Sequence, residues 1–237
     1  MSRRTLVYFV CSPHSRTGVT TTARLITDYY LSRGLAVDGF DTDSREPAYA
    51  LRYPDFSSVV DIFNIQGQIA LFDRLVVPDG RPKIIDVWSR SYEQLFGAIA
   101  EIGFLEEAAR AGVEPIVLHQ SGPSPMAARN ARLLTTIWPR LRVTVVHNEG
   151  AAPLGEAALG LLATYQARGK LVIPRLDRTI AQQLDALDGS LLHLLDDQAS
   201  MTSGAVQTAL KSWLAPIFMQ LQSFELRVHL QSSQHLS

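Results

Sequence analysis

Thr20, Thr21, Asp43 and Asp86 are the residues of this chain whose types and placement suit one chemistry together, the holding of a divalent cation beside a phosphate. A loop, Ser12-Pro13-His14-Ser15-Arg16-Thr17-Gly18, leads into the threonines, which open a helix. Backbone amides at such a loop-to-helix junction point at an anion, and hydroxyl and carboxylate oxygens complete a Mg²⁺ shell. A plain helix cap uses the same hydroxyl residues, so the threonines alone decide nothing. The two aspartates together say more, because they lie at the carboxyl ends of two neighbouring strands, where a carboxylate is costly to bury without a cation. The phosphate-loop spacing G-x-x-x-x-G-K-[ST] falls without gaps on Pro13, Gly18, Val19 and Thr20. The lysine that reaches the outer phosphates is therefore a valine.

The elements that must position these groups follow from periodicity. Thr5 to Cys11 is a near-continuous apolar run rich in β-branched and aromatic residues, the pattern of a strand covered on both faces. From Thr20 onward Ala23, Ile26, Tyr30 and Leu31 recur at helical spacing, and Gly34 is the stop. Ala36 to Asp43 reads as a strand ending in acid, and Ser44 to Phe56, punctuated by Pro47 and Pro54, reads as a loop. Val59 to Phe63 and Ile65 to Val77 are apolar without clean periodicity. The turn cluster Pro78-Asp79-Gly80-Arg81-Pro82 delivers the strand Lys83 to Trp88, with Asp86 close to its carboxyl end.

Tyr92 to Arg110 is an amphipathic helix broken or bent near Gly103, and Pro115 to His119 is the next strand. A loop from Gln120 to Pro125 precedes a helix from Met126 to Ile137. Leu141 to His147 is a strand ending at Asn148, Glu156 to Arg168 a helix, Lys170 to Ile173 a short strand, and Pro174 opens a loop before a helix from Thr179 to Leu187. This alternation predicts an α/β fold, a doubly wound, mostly parallel sheet flanked by helices, with binding groups at the carboxyl ends of strands. Asp43, Asp86, Gln120, Asn148 and Pro174 all fall there. One domain over 1–237 is expected, with a core over about 5–190 and a C-terminal helical extension over about 200–232, kinked or broken at Pro216. In that tail Trp213, Leu214, Ile217, Phe218 and Leu221 form an apolar stripe read as packing.

Composition narrows the function. At 237 residues, 46% hydrophobic and 19% charged, with a net charge of −1, the chain is of ordinary globular character and has no global field for nucleic acid or acidic lipid. Its single cysteine, Cys11, lies inside an apolar strand, which excludes an intrachain disulfide and fits a reducing compartment. The run after Ser2-Arg3-Arg4 is too short for a secretory segment, and no run reaches the ~20 apolar residues of a spanning helix. A cytoplasmic protein without membrane contact is expected.

With these positions laid out, the chain resembles the ParA/MinD family of P-loop ATPases (SIMIBI class), whose deviant Walker A loop reads K-G-G-V-G-K-T-T. The likeness spans roughly residues 5–190: Gly18, Thr20, Thr21, the helix to Gly34 and Asp41-Thr42-Asp43 keep the family's spacing, and Lys83 to Asp86 resembles its Walker B strand. Ser121 to Arg132 resembles its P-S-x-x-x-x-R-A segment, Val145-Val146-His147-Asn148 the strand ending in the base-facing Asn, and Ile173-Pro174-Arg175 the segment beside the adenine. Val87-Trp88-Ser89-Arg90 departs from the usual T-P-P-G and is closer to the conjugation and mobilisation branch, such as TraL-like or StbB-like proteins. The resemblance implies ATP or ADP with Mg²⁺, phosphate contacts from Gly18, Thr20 and Thr21, metal contacts from Thr20, Asp43 and Asp86, base contacts from Asn148 and Pro174, and a hydrolytic water held near Asp43. It also implies a nucleotide-bridged homodimer.

The signature lysine that would cross that dimer is His14, and the Walker lysine is Val19, so two positive charges are missing from a site for three or four negative ones. Charge-assisted hydrogen bonds of about 1.5–3 kcal/mol each correspond to tens- to hundreds-fold in affinity apiece. Arg16, whose planar guanidinium can fork onto a phosphate, is the replacement within the loop. His14 carries full charge only below about pH 6.5. Two functions follow: a pseudo-ATPase, at most a weak ATPase, serving as a binding or positioning subunit with a protein partner, or an active ATP-dependent dimerisation switch in partition, mobilisation or cargo positioning. A metabolic P-loop enzyme of the dethiobiotin-synthetase type lacks an evident substrate site. Arg129, Arg132, Arg140 and Arg142, with no acid between Met126 and His147, are either a DNA-backbone patch or a solvated face. DNA contact by the isolated chain is expected to be weak.

Overall fold

The computed structural model describes residues 4–151, 153–165, 170–185, 189–195 and 204–234. Its centre is β1 (Thr5–Cys11), buried along its whole length. Seven strands form one parallel sheet in the order β3-β2-β4-β1-β5-β6-β7, where β2 is Asp38–Asp41, β3 Ser57–Val59, β4 Lys83–Asp86, β5 Val113–Gln120, β6 Arg142–Asn148 and β7 Leu171–Ile173. β1 therefore has β4 on one side and β5 on the other, pairing Val10 with Asp86 and Cys11 with His119. The chain leaves β1 at the point where the strand order reverses, which is where an open parallel sheet offers a crevice for ligand. The α/β fold expected from strand and helix alternation, a doubly wound parallel sheet flanked by helices, is the one observed.

Alternate residues of β1 feed two cores. Val7, Phe9 and Cys11 face the layer of α3 (Ile65–Leu75), α4 (Tyr92–Glu101), α5 (Phe104–Ala111) and α6 (Pro125–Ile137), whereas Leu6, Tyr8 and Val10 face α1 (Val19–Leu31), α2 (Ala48–Arg52) and α9 (Gly204–Gln234). Burying each of the larger side chains contributes about 1.5–3 kcal/mol, so this one strand anchors both layers. Cys11 is among the buried, and its thiol is pushed well above its usual range by that burial, which makes it inert.

Several boundaries differ from the sequence reading for identifiable reasons. The stretch from Ser44 to Phe56 is not all loop, because α2 forms within it: the Asp41 carboxylate at the end of β2 accepts the amides of Tyr49 (2.9 Å) and Ala50 (3.1 Å), capping a helix from outside its own sequence. The break near Gly103 is real, and Gly103 adopts φ 64° between α4 and α5. β5 begins two residues earlier than its apolar run, since Pro115 pairs with β1 only and β6 joins from Ile116 onward, so its missing N–H leaves no gap.

α7 (Glu156–Tyr165) and α8 (Arg178–Asp185) match the expected helices as far as they are described; 166–168 and 186–187 lie outside the described residues. α9 is one continuous helix through Pro216, correcting the expected break; the tail's first expected residues, 200–203, lie outside the described residues. Tertiary contacts hold that helix: Leu214, Ile217 and Leu221 are in the core, and Gln220 bonds both the amide and the carbonyl of Val172 (3.0 Å each), closing the outer edge of β7. No helix of the described residues is long and apolar enough to cross a membrane.

Candidate functional site

At the exit of β1 the loop 12–18 turns over the sheet. Ser12 accepts the His14 amide (3.2 Å) and Thr17 donates to the His14 carbonyl (3.2 Å), so the loop is braced by its own hydroxyls. Arg16 takes φ 59°, alone among the described non-glycine residues in the positive region, and stands exposed. Such conformations concentrate at ligand-holding loops. Gly18 (φ 89°) occupies the N-cap of α1 with no side-chain cap bond. Thr20 and Thr21 are therefore not caps. The neighbouring Thr22 is the structural hydroxyl, bonded to the Gly18 carbonyl (3.0 Å) and to Gln120 (2.6 Å).

A cavity of about 330 Å³ opens between this loop and the ends of β2 and β4; among the residues lining it are His14, Arg16, Val19, Thr20, Asp43 and Asp86. Asp86 is buried and its Oδ1 has no hydrogen-bond partner. Burial, reinforced by the charges of Asp41 and then Asp43, raises its pKa to about 8, against the opposing pull of the Thr20 hydroxyl. Asp43 spends Oδ1 on the amides of Arg45 and Glu46 (3.1 Å each). The orphaned Asp86 oxygen beside Thr20 fits Mg²⁺, which takes one or two protein oxygens and completes its shell with water and phosphate. No larger cluster of acidic, histidine or cysteine ligands exists among the described residues.

A second cavity of about 620 Å³ shares Arg16, Gly18 and Thr21 with the first and continues past Asn148 and Pro174. Asn148 holds the Gly150 amide (2.9 Å), and its Nδ2 lies 2.1 Å from where a Cβ on Gly18 would stand. Glycine is thus demanded at 18 by both φ and space. The Pro174 carbonyl accepts the Trp213 indole (2.7 Å), tying α9 to the cavity wall. Of the residues expected at the strand ends and the loop, Asp43, Asp86, Asn148, Pro174, Arg16, Gly18, Thr20 and Thr21 line one cavity or the other, whereas Gln120 is fully buried and bonded to Thr22 instead. Arg24, Arg178 and Trp213 were not expected, since they meet only through the fold. The one available signal was Arg24's place three residues after Thr21, on the same helix face.

The charges of the two cavities are opposite. Asp41, Asp43, Glu46 and Asp86 line the smaller one against Arg16 and His14, whereas the larger carries Arg16, Arg24, Arg175 and Arg178 and no acid among its described residues. Val19, at the position of the motif's lysine, adds no cation to the smaller cavity.

No protein-family model matches this chain, and no curated protein matches it. Among solved structures, a nucleotide-binding protein from Archaeoglobus fulgidus in complex with ADP is similar with TM-score 0.45 and 15% identity, over 78% of this chain and 87% of that one. Chloroplast FtsY from Physcomitrella patens is similar with TM-score 0.45 and 13% identity, over 73% of this chain; the match spans 58% of that one. Likeness this loose carries no argument about activity, which must come from the site itself.

Proposed function

We propose that the chain is a ParA/MinD-like P-loop protein that binds ATP or ADP with Mg²⁺ and hydrolyses it negligibly, working as a binding or positioning subunit. The observation that carries this reading is the phosphate cavity itself. It keeps the loop, Thr20, Thr21 and Asp86, yet sets four carboxyl groups against Arg16 and His14. Phosphoryl transfer depends almost entirely on positioning and on stabilising charge, so a site that positions without neutralising binds more than it turns over. Mg²⁺, when bound, would neutralise phosphate charge; Thr20 and Asp86 would hold it, Arg16 would meet the phosphate, and Asn148 and Pro174 would border the nucleoside.

Isothermal titration with ATP and ADP in Mg²⁺ tests this directly. Measurable binding is expected, and Arg16→Ala should remove it while leaving the melting temperature nearly unchanged, because Arg16 is exposed and makes no hydrogen bond among the described residues. Absence of binding in the wild-type chain refutes the reading, and unaltered binding in the variant removes Arg16 from it.

The partner in this reading is another protein, in a cytoplasmic setting, with a second copy of the chain as one form of it. The four arginines do not make one DNA-contacting face. Arg129 and Arg132 are exposed on α6, whereas Arg142 reaches Gln231 of α9 (2.6 Å) and Glu114 (3.7 Å) in the opposite direction. Arg140 borders a separate cavity with Glu106 and Glu114. A pair of exposed arginines on a near-neutral chain supports only weak, salt-sensitive association. Fluorescence anisotropy with duplex DNA at physiological salt is expected to show no sub-micromolar binding; such binding, lost in the Arg129→Ala, Arg132→Ala variant, would restore a DNA-segregation role.

A further inference from the structure

Arg24 sits on α1 one turn beyond Thr21 and is only 7% exposed. Its guanidinium makes no hydrogen bond among the described residues, and Nε and Nη2 are buried without a partner. Asp28, one turn further on, feels its charge but closes no ion pair with it: Oδ2 accepts from the Tyr53 hydroxyl (2.8 Å) and the Leu191 amide (3.1 Å), and Oδ1 is buried without a hydrogen-bond partner. A guanidinium cannot shed its proton to escape burial, and leaving one unpaired away from water is strongly unfavourable. A side chain in that state calls for an anion, and the open side of Arg24 is the larger cavity.

That cavity is built for more than a neutral base. Arg24 lines it together with Arg16, Arg175 and Arg178, with no carboxylate among the described lining residues. Arg175 is held in place by the Glu149 carbonyl (3.0 Å). The rest of the lining includes the apolar side chains of Leu184, Leu191 and Trp213. About 620 Å³ accommodates a nucleoside. Arg16, Gly18 and Thr21 belong to both cavities, so a ligand with its 5′ phosphates at the loop passes them on its way in. Arg24 lies three residues further along the helix, about 4.5 Å of rise at 1.5 Å per residue, so the cavity it lines continues beyond the loop residues that would meet the 5′ phosphates.

We propose that this cavity takes a nucleotide carrying a phosphate on its ribose, at the 2′ or 3′ position, in addition to its 5′ phosphates, with the ribose phosphate paired to the buried Arg24 guanidinium. The proposal rests on the nucleotide-binding reading above and names its ligand class. A bidentate guanidinium–phosphate contact is among the stronger charge-assisted pairs and adds selectivity that the cation-poor loop cannot supply.

The test titrates the full chain, in Mg²⁺ at constant ionic strength, with ADP, with ATP, and with ADP bearing a 2′- or 3′-phosphate. One of the two ribose-phosphorylated ligands is expected to bind about tenfold or more tightly than ADP. Arg24→Met should remove that gain while leaving ADP affinity, and the ATP-to-ADP ratio, unchanged. The ATP-to-ADP ratio controls for added charge at the other end of the ligand. No gain in the wild-type chain, or a gain that survives Arg24→Met, overturns the proposal while leaving ADP binding, and so the reading above, intact. Failure of every ligand to bind overturns both. Binding of a ribose-phosphorylated ligand alone supports the Arg24 site and refutes the ATP reading. The wild-type comparison decides the matter even if the methionine variant does not fold, and Arg24→Lys, which keeps the charge without the fork, should retain part of the gain.

Discussion

ATP turnover by the wild-type chain is expected to lie at least about tenfold below that of a Val19→Lys, His14→Lys double variant, because developing charge on the transferred phosphoryl group finds too few cations in the native loop. Val19 is the first residue of α1 and lines the phosphate cavity, so a lysine there starts from the right backbone position and faces Asp43 and Asp86. His14 is half-buried in the same cavity, with its Nε2 unpartnered. A lysine at 14 would bring a constant positive charge to that position. Steady-state phosphate release measures the comparison. Robust wild-type turnover that Asp43→Ala abolishes would show that Arg16 and Mg²⁺ suffice without either lysine, and the non-hydrolysing reading would fall.

Stability should decline as pH rises from about 4 to about 8, by an amount on the order of a few kcal/mol, and Asp86→Asn should remove much of that decline. The sign follows from where the protons are. Asp86 has a folded-state pKa of about 8 and Asp28 one of about 7, both raised first by burial. Unfolded carboxyl groups ionise near pH 4, so between pH 4 and these values the folded chain keeps protons that the unfolded chain has released. The unfolded state gains accordingly as pH rises. The contribution is complete below pH 4 and is lost once pH passes the folded-state values. Urea midpoints from pH 5 to pH 9, with a chelator present, measure it. The wild-type chain should fall below the asparagine variant progressively towards pH 8; in both proteins Asp28 and Asp41, raised by burial, leave a residual decline, which His119, held neutral by burial, opposes between about pH 4 and 6.5. Parallel curves for the two proteins would mean that Asp86 is ionised in the fold, with a compensating cation or water network beside it.

Those two expectations draw on different sources. The missing lysines were legible in the sequence, since Val19 and His14 fall at fixed spacing from Gly18 and Thr20. Its periodicity also determined β1, α1, β4 and the alternation that makes a doubly wound sheet: runs buried on both faces must be continuously apolar, and a helix on a sheet must repeat at its own period. Asp43, Asp86, Asn148 and Pro174 were legible too, because strand ends in such a sheet share one edge.

What only the tertiary structure decided is everything that depends on groups distant in the chain. α2 forms because Asp41 caps it from β2, and α9 passes through Pro216 because the core and the edge of β7 hold it. Neither cause has a local signature. The same holds for charge: the chain's net −1 is nearly neutral, and only folding sorts it into an acidic phosphate cavity beside one lined by arginines. Arg24 reads as an ordinary helix residue until Tyr53 and the 189–195 segment claim one oxygen of the Asp28 carboxylate and hold it out of an ion pair with Arg24. Periodicity reports burial, but the partners of a buried charge are set by packing between elements.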